Sequence, residues 1–146
     1  MDKKLKFKIV TPERLVHEDE VDSVSCPTAL GEVTILPNHI PLVAAIVPGE
    51  LRVVDGAETR SMAVLGGFLE VRSGDRVVIL ADSAEHASEI DLKRAEQARD
   101  RAKKTMAEES VDAEKYAAGQ VALERSLARI RVANKRKKYK DVGRQP

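Results

Sequence analysis

Apolar and charged residues alternate from the start of the chain, where Leu5, Phe7 and Ile9 interleave with Lys4, Lys6 and Lys8. A period of two sends the two kinds to opposite faces, so this segment predicts a half-buried strand. The alternation returns at Val33 and Ile35, at Leu51 and Val53 around Arg52, and at Leu69 and Val71 between Glu70 and Arg72. Residues 77–80, VVIL, are apolar without a break and predict a buried strand that closes the domain. Turn signals separate these runs at Thr11-Pro12, Gly31, Pro37-Asn38, Pro48-Gly49, Asp55-Gly56, Gly66-Gly67 and Ser73-Gly74-Asp75. Gly and Asn tolerate positive φ there, and Pro fixes a turn-like φ. Short alternating strands at this spacing predict an antiparallel β-sandwich or barrel.

The texture changes at Asp91: Gly and Pro are absent until Gly119, and Ala, Glu, Lys and Arg, all strong helix formers, take over. Ser88 or Asp91 is a candidate cap for a first helix that sets Leu92, Ala95, Ala98 and Ala102 on one face. Residues 108–112 read as a helix-to-helix connection, after which Ala113, Ala117, Val121 and Ala128 form a second small-residue stripe. Two such stripes pair into an antiparallel hairpin. Alanine buries little apolar area, and at about 25 cal/mol per Å² the hairpin docks weakly and is free to detach. Beyond Ala133 the sequence is basic and polar with no apolar period, which predicts a frayed helix end and a disordered tail. The expected organisation is a β-sandwich at 1–88, a helical hairpin at 89–138 and a basic tail at 139–146.

A chain of 146 residues holds one ordinary domain, or a small domain with an appendage. With two Phe, two Tyr and no Trp, its core has to be built from Val, Ile, Leu and Ala. The opening MDKKLKFKIV lacks the unbroken apolar stretch of a secretory signal, and the longest apolar run, residues 42–47, falls far short of the ~20 residues of a membrane-spanning helix. No direct membrane insertion is expected, so any membrane association runs through a partner. Cys26 is the sole cysteine and forms no internal bridge. Charge is divided unevenly: residues 1–90 carry 9 Lys and Arg against 15 Asp and Glu, and residues 91–146 carry 16 against 9. The two halves therefore meet different surroundings, and the second is drawn to acidic surfaces.

Catalytic candidates are poor. His17, His39 and His86 share no metal-ligand spacing with one another or with Cys26, and no HExxH, CxxC or phosphate-binding glycine loop is present. Gly66-Gly67 lacks the Lys and Ser/Thr of a P-loop and reads as a turn, and no motif marks Ser61 or Ser83 as a nucleophile. Neither a catalytic residue nor a metal ligand is assigned. Two alternatives remain at this stage. One is a small enzyme with a site assembled from scattered residues. The other is a nucleic-acid-binding module using KRKKYK, which the acidic first half and the scarcity of aromatics oppose.

The most individual stretch is GEVTILPNHIPLV at residues 31–43. Together with VTPERLVHEDEVDSVSCPT before it, GGFLEV at residues 66–71 and the helix start SEIDLKRAEQA, in that order and spacing, it resembles the epsilon subunit of F-type ATP synthases through Ala133. The resemblance implies a non-catalytic rotor subunit whose sandwich grips the foot of the gamma subunit and rests on the membrane c-ring, with Glu32 and His39 near the ring's polar loops. It also implies a hairpin that extends into the alpha and beta subunits and restrains ATP hydrolysis. Arg125, Arg129, Arg131, Lys135, Arg136, Lys137 and Lys138 would supply the attraction. Some bacterial members bind ATP through an I-D-x-x-R-A motif, matched here by residues 90–95. The resemblance then implies no required cofactor but a regulatory ATP at Glu85, Asp91, Arg94, Arg125 and Arg129. The implied location is peripheral, on the cytoplasmic face of a bacterial plasma membrane, within the synthase complex.

Overall fold

The computed structural model describes residues 3–142, with side chains through residue 135. The chain divides into two compact units that meet at Glu85 and His86.

The first unit holds the strands β1 (Leu5–Val10), β2 (Leu15–Val21), β3 (Ser23–Thr28), β4 (Gly31–Ile35), β5 (Leu42–Ile46), β6 (Gly49–Asp55), β7 (Glu58–Val64), β8 (Gly67–Arg72), β9 (Arg76–Ala81) and β10 (Ala84–His86). They pair in the order β10-β7-β6-β3-β5-β8-β9-β1-β2, with β4 on β3. Antiparallel pairing dominates, as the alternation predicts. β1 and β9 instead run parallel, with Phe7 opposite Val77 and Ile9 opposite Ile79. The inward residues of these strands, among them Leu5, Phe7, Ile9, Val24, Leu51, Leu69 and Ile79, form one aliphatic core with a single aromatic ring.

β9 departs from the expectation of a fully buried strand. Val77 and Ile79 face the core, but Leu80 is 46% exposed, so the apolar run covers both faces and only one of them is interior. β2, β3, β7 and β10 were not distinguished from the sequence. Of these β7 had a readable signal, because Asp55-Gly56 is a strong hairpin turn and Gly56 takes φ 62°.

Asp22, at the junction of β2 and β3, fastens three segments. Its Oδ2 accepts a 2.6 Å hydrogen bond from the Gly56 amide, and its Oδ1 lies 3.5 Å from Lys4 Nζ, which also pairs with Asp55. The Gly56 hydrogen bond first, and the Lys4 charge after it, hold the Asp22 carboxyl below the usual aspartate range. A carboxyl depressed in the folded state stabilises the fold above its unfolded value of about 4, and that contribution is lost as pH falls through the lower folded value. Asp22→Asn is therefore expected to lower stability at neutral pH and to make the acid-side loss shallower. Urea midpoints of the two proteins measured from pH 7 to pH 2.5 check this, and parallel curves would refute it.

In the second unit a short 3-10 turn (Ala87–Glu89) leads to α1 (Leu92–Glu108) and α2 (Ala113–Val142). Asp91 caps α1, accepting from the Arg94 amide at 3.1 Å, and Asp112 caps α2, accepting from the amides of Glu114 and Lys115 at 3.1 and 3.2 Å. Ala95 and Ala102 are buried on α1, in agreement with the predicted stripe. The stripe on α2 is different. Ala113 and Ala117 are exposed, whereas Gly119, Ser126, Ala128 and Val132 are buried. The helices pack tightly at Gly119, where an added Cβ would lie 2.9 Å from Met106 Cγ and 3.5 Å from the Ala102 carbonyl oxygen. Gly119 is thus a contact residue in mid-helix. α2 also runs on to Val142 where a frayed end and tail were expected, and residues 143–146 of that tail lie outside the described residues.

Candidate functional site

Three surfaces carry the residues of interest, and the first was not foreseen. The outer face of β2-β1-β9-β8-β5 presents one row of paired residues: Leu15, Val10, Leu80, Phe68 and Ala45. Phe68 is 56% exposed, and Val43, Leu15 and Leu80 are also open to solvent. Water-facing apolar groups aligned across five strands mark a protein contact surface rather than a scatter of single residues. The signal was present in VVIL and in the apolar run of residues 42–47, but strand burial cannot be told from an exposed apolar face by hydropathy alone.

The second surface is the β3–β4 hairpin. Leu30 at its tip is 91% exposed. Glu32, two residues on, pairs with Arg52 of β6, whose other terminal nitrogen lies 3.5 Å from Glu50 Oε1. His39 is not part of this group. Glu32 stands near the start of β4 and His39 beyond its end, so the strand runs between them. His39 Nδ1 donates to the Ile40 carbonyl at 2.6 Å, and its loop is held by the Asn38 amide, which donates to Asp75 at 2.6 Å.

The third surface is the helical unit. Asp91 and Arg94 sit at the start of α1, with the Asp91 carboxylate engaged as the cap described above. Arg125 and Arg131 are exposed on α2, and Arg129 and Lys135 are partly exposed. Arg125 and Arg129 lie one turn apart and so share a face. Glu85 lies in β10 of the first unit. The side chains of Arg136, Lys137 and Lys138 lie outside the described residues.

Nothing in these surfaces assembles a nucleophile with a base. Burial, reinforced by the Glu32 charge, pushes the Cys26 thiol up to about 12, so it stays protonated and unreactive. A surface concavity of about 550 Å³ over β1, β2, β8 and β9 is lined by the basic residues Lys6, Lys8, Arg72 and Arg76 and the acidic residues Glu18, Asp19 and Glu20. It contains no serine, cysteine or histidine.

This two-part architecture has a counterpart. The family model for the β-sandwich domain of the ATP synthase delta/epsilon chain matches residues 4–87, and the model for the long α-helix domain of the same chain matches residues 88–134. The chain belongs to the ATP synthase delta/epsilon family. Its relatives within that family are epsilon chains. That of Dehalococcoides mccartyi (strain CBDB1) is 50% identical over 139 residues, spanning 95% of this chain and 99% of the relative. That of Syntrophobacter fumaroxidans is 44% identical over 135 residues, spanning 92% and 99%. Among solved structures, a chain of the Euglena gracilis mitochondrial ATP synthase (OSCP, F1 and c-ring, rotational state 1) superposes with a TM-score of 0.77 at 24% identity, covering 86% of this chain and 78% of that one, and shows the same fold. This is an epsilon-type chain, an accessory and non-catalytic part of the F-type ATP synthase. Family membership replaces the small-enzyme and nucleic-acid-binding alternatives. No helix among the described residues is long and apolar enough to cross a membrane.

Proposed function

We propose that this chain is a rotor subunit of the central stalk, that it couples the gamma subunit to the membrane c-ring, and that its helices restrain ATP hydrolysis. The observation that carries the regulatory reading is the form of α2. At 30 residues against the 17 of α1, it outruns its partner by about 20 Å, and it carries Arg125, Arg129, Arg131 and Lys135 toward and into the overhang. A basic rod held at its base by alanine and glycine suits an arm that leaves the hairpin and reaches acidic segments of the alpha and beta subunits. The apolar row centred on Phe68 suits the gamma subunit, and the β3–β4 hairpin that carries Glu32 suits the polar loops of the ring. The chain is then peripheral, on the cytoplasmic face of a bacterial plasma membrane.

Regulatory ATP fits the same scheme. Arg94, Arg125 and Arg129 supply guanidinium groups for phosphates, and ATP bound to the folded hairpin alone shifts the balance by no more than its differential affinity.

The test is ATP hydrolysis by a matching core of alpha, beta and gamma subunits, with the full-length chain, with a version ending at Glu89, and with neither. Both versions are expected to bind, and only the full-length chain to slow hydrolysis several-fold. Binding without inhibition by either refutes the brake, and failure of both to bind refutes the stalk assignment.

A further inference from the structure

Glu32 belongs to the β3–β4 hairpin, yet the group that holds it comes from β6, on the other side of β3. Ser25 of β3 lies opposite both Arg52 of β6 and Thr34 of β4, and Pro27 lies opposite Glu32. Residues two apart in a strand share a face, so Glu50 and Arg52, Ser25 and Pro27, and Glu32 and Thr34 form one surface across three strands. The Arg52 side chain crosses over β3 on this surface, with Nη2 bonded to Glu32 Oε1 and Nη1 3.5 Å from Glu50 Oε1.

The two carboxylates it joins differ sharply. The Glu50 side chain is 3% exposed and that of Glu32 is 47% exposed. A buried carboxylate has little rotamer freedom, so Glu50 is the fixed end. The guanidinium is planar and presents its nitrogens in a rigid fork, so anchoring one of them sets the direction of the other. Glu32 Oε1 is taken by Arg52, while Oε2 has no hydrogen bond among the described residues. The half-exposed Glu32 carboxylate is thereby held by one oxygen, two residues along the chain from the exposed Leu30.

We infer that Arg52 is a positioning residue: anchored on Glu50, it holds the Glu32 carboxylate so that Oε2 is presented to a hydrogen-bond donor on a partner loop. The inference rests on the reading of Glu32 as the ring contact. A glutamate on a hairpin tip ordinarily loses side-chain freedom when it docks, and ordering it beforehand removes that cost from binding. The partner chemistry this suits is a polar loop offering an amide or cationic donor, with an apolar spot for Leu30.

The experiment measures equilibrium binding of the labelled full-length chain to a matching subcomplex of gamma subunit and c-ring. Glu32→Gln is expected to weaken binding about tenfold and Arg52→Gln by a similar factor, with the double variant no weaker than either single one. Because Arg52→Gln leaves Glu50 beside a neutral group, Glu50→Gln with Arg52→Gln is measured too, and is expected to fold with a near-normal melting temperature and bind as weakly. In the free chain, NMR of the Arg52 guanidinium protons is expected to show protected signals, of which Glu32→Gln removes those on Nη2 and leaves those on Nη1. Additive losses, wild-type affinity of the Glu50→Gln/Arg52→Gln variant, or unprotected Arg52 protons overturn the positioning role while leaving Glu32 as a contact. Unchanged affinity of Glu32→Gln instead overturns the ring contact itself, and the positioning role with it.

Discussion

Replacing Gly67 by alanine is expected to remove a large share of the stability of the sandwich. Gly67 opens β8, the strand between β5 and β9, and pairs with Ile46 on one side and Ala81 on the other. Its φ is 120°, a conformation that side-chain-bearing residues rarely adopt, and an added Cβ would stand 2.1 Å from the Leu80 carbonyl oxygen and 2.8 Å from Ala81 Cα. Those are backbone atoms held in the ladder, so neither can turn aside as a side chain would. Backbone strain of about 1–3 kcal/mol and overpacking of a similar size add to roughly 2–6 kcal/mol. That is a large share of the ~5–15 kcal/mol of an ordinary domain, and a fall of some 15–25 °C in melting temperature follows. Gly74→Ala is the control: its φ of 81° is also positive, but nothing lies within 4 Å, so only the conformational cost of about 1 kcal/mol applies. Thermal unfolding followed by circular dichroism in the strand region reads both, and a Gly67 variant no less stable than the Gly74 one would refute the steric argument.

Gly66-Gly67 also shows where sequence reading stops. The pair is legible as a punctuation mark, and the strand after it is legible from Leu69 and Val71. That Gly67 is itself a ladder residue pressed against β9 is a statement about a neighbour, Ala81, far along the chain, and only the register reveals it. The same holds elsewhere. The strand alternation named the core residues Leu5, Phe7, Ile9, Leu51 and Leu69, because one buried face leaves a period of two. It could not show that β1 and β9 run parallel, which depends on the path of the chain. Nor could it assign Phe68 and Leu80 to an open face, since an interface and a core are equally apolar. In the helices the composition was legible but the stripe on α2 was not. When nearly every small residue is alanine, hydropathy does not mark the contact line, which takes in Gly119 and Ser126 as well as Ala128 and Val132. Of the polar residues, Glu32 and Arg52 were visible separately, and their union through Glu50 requires three strands to be laid side by side.

Changing Arg125, Arg129, Arg131 and Lys135 together to glutamine is expected to release the restraint on ATP hydrolysis while leaving binding to the complex intact. Glutamine keeps helix propensity close to that of Arg and Lys, so α2 persists and only charge is lost. Exposed ion pairs contribute about 0.2–1 kcal/mol each, so four of them shift the balance between folded and extended hairpin by roughly 1–4 kcal/mol, a factor of about 5 to several hundred. Hydrolysis by the alpha-beta-gamma core with this variant should come within about twofold of the core alone. High salt should act on the wild type in the same direction, because exposed charges are screened over a Debye length of about 10 Å at 0.1 M. Two of these residues also belong to the proposed ATP site, and the two roles pull in opposite senses. Losing ATP from the folded hairpin strengthens the brake, whereas losing the attraction to acidic segments weakens it. The pairs separate them. Arg131→Gln with Lys135→Gln should weaken inhibition and leave ATP binding to the isolated chain unchanged. Arg125→Gln with Arg129→Gln should abolish ATP binding and weaken inhibition as well. Should the second pair lose ATP binding yet inhibit more strongly than wild type, Arg125 and Arg129 serve the folded state alone, and the arm's grip on the core resides in the residues from Arg131 onward.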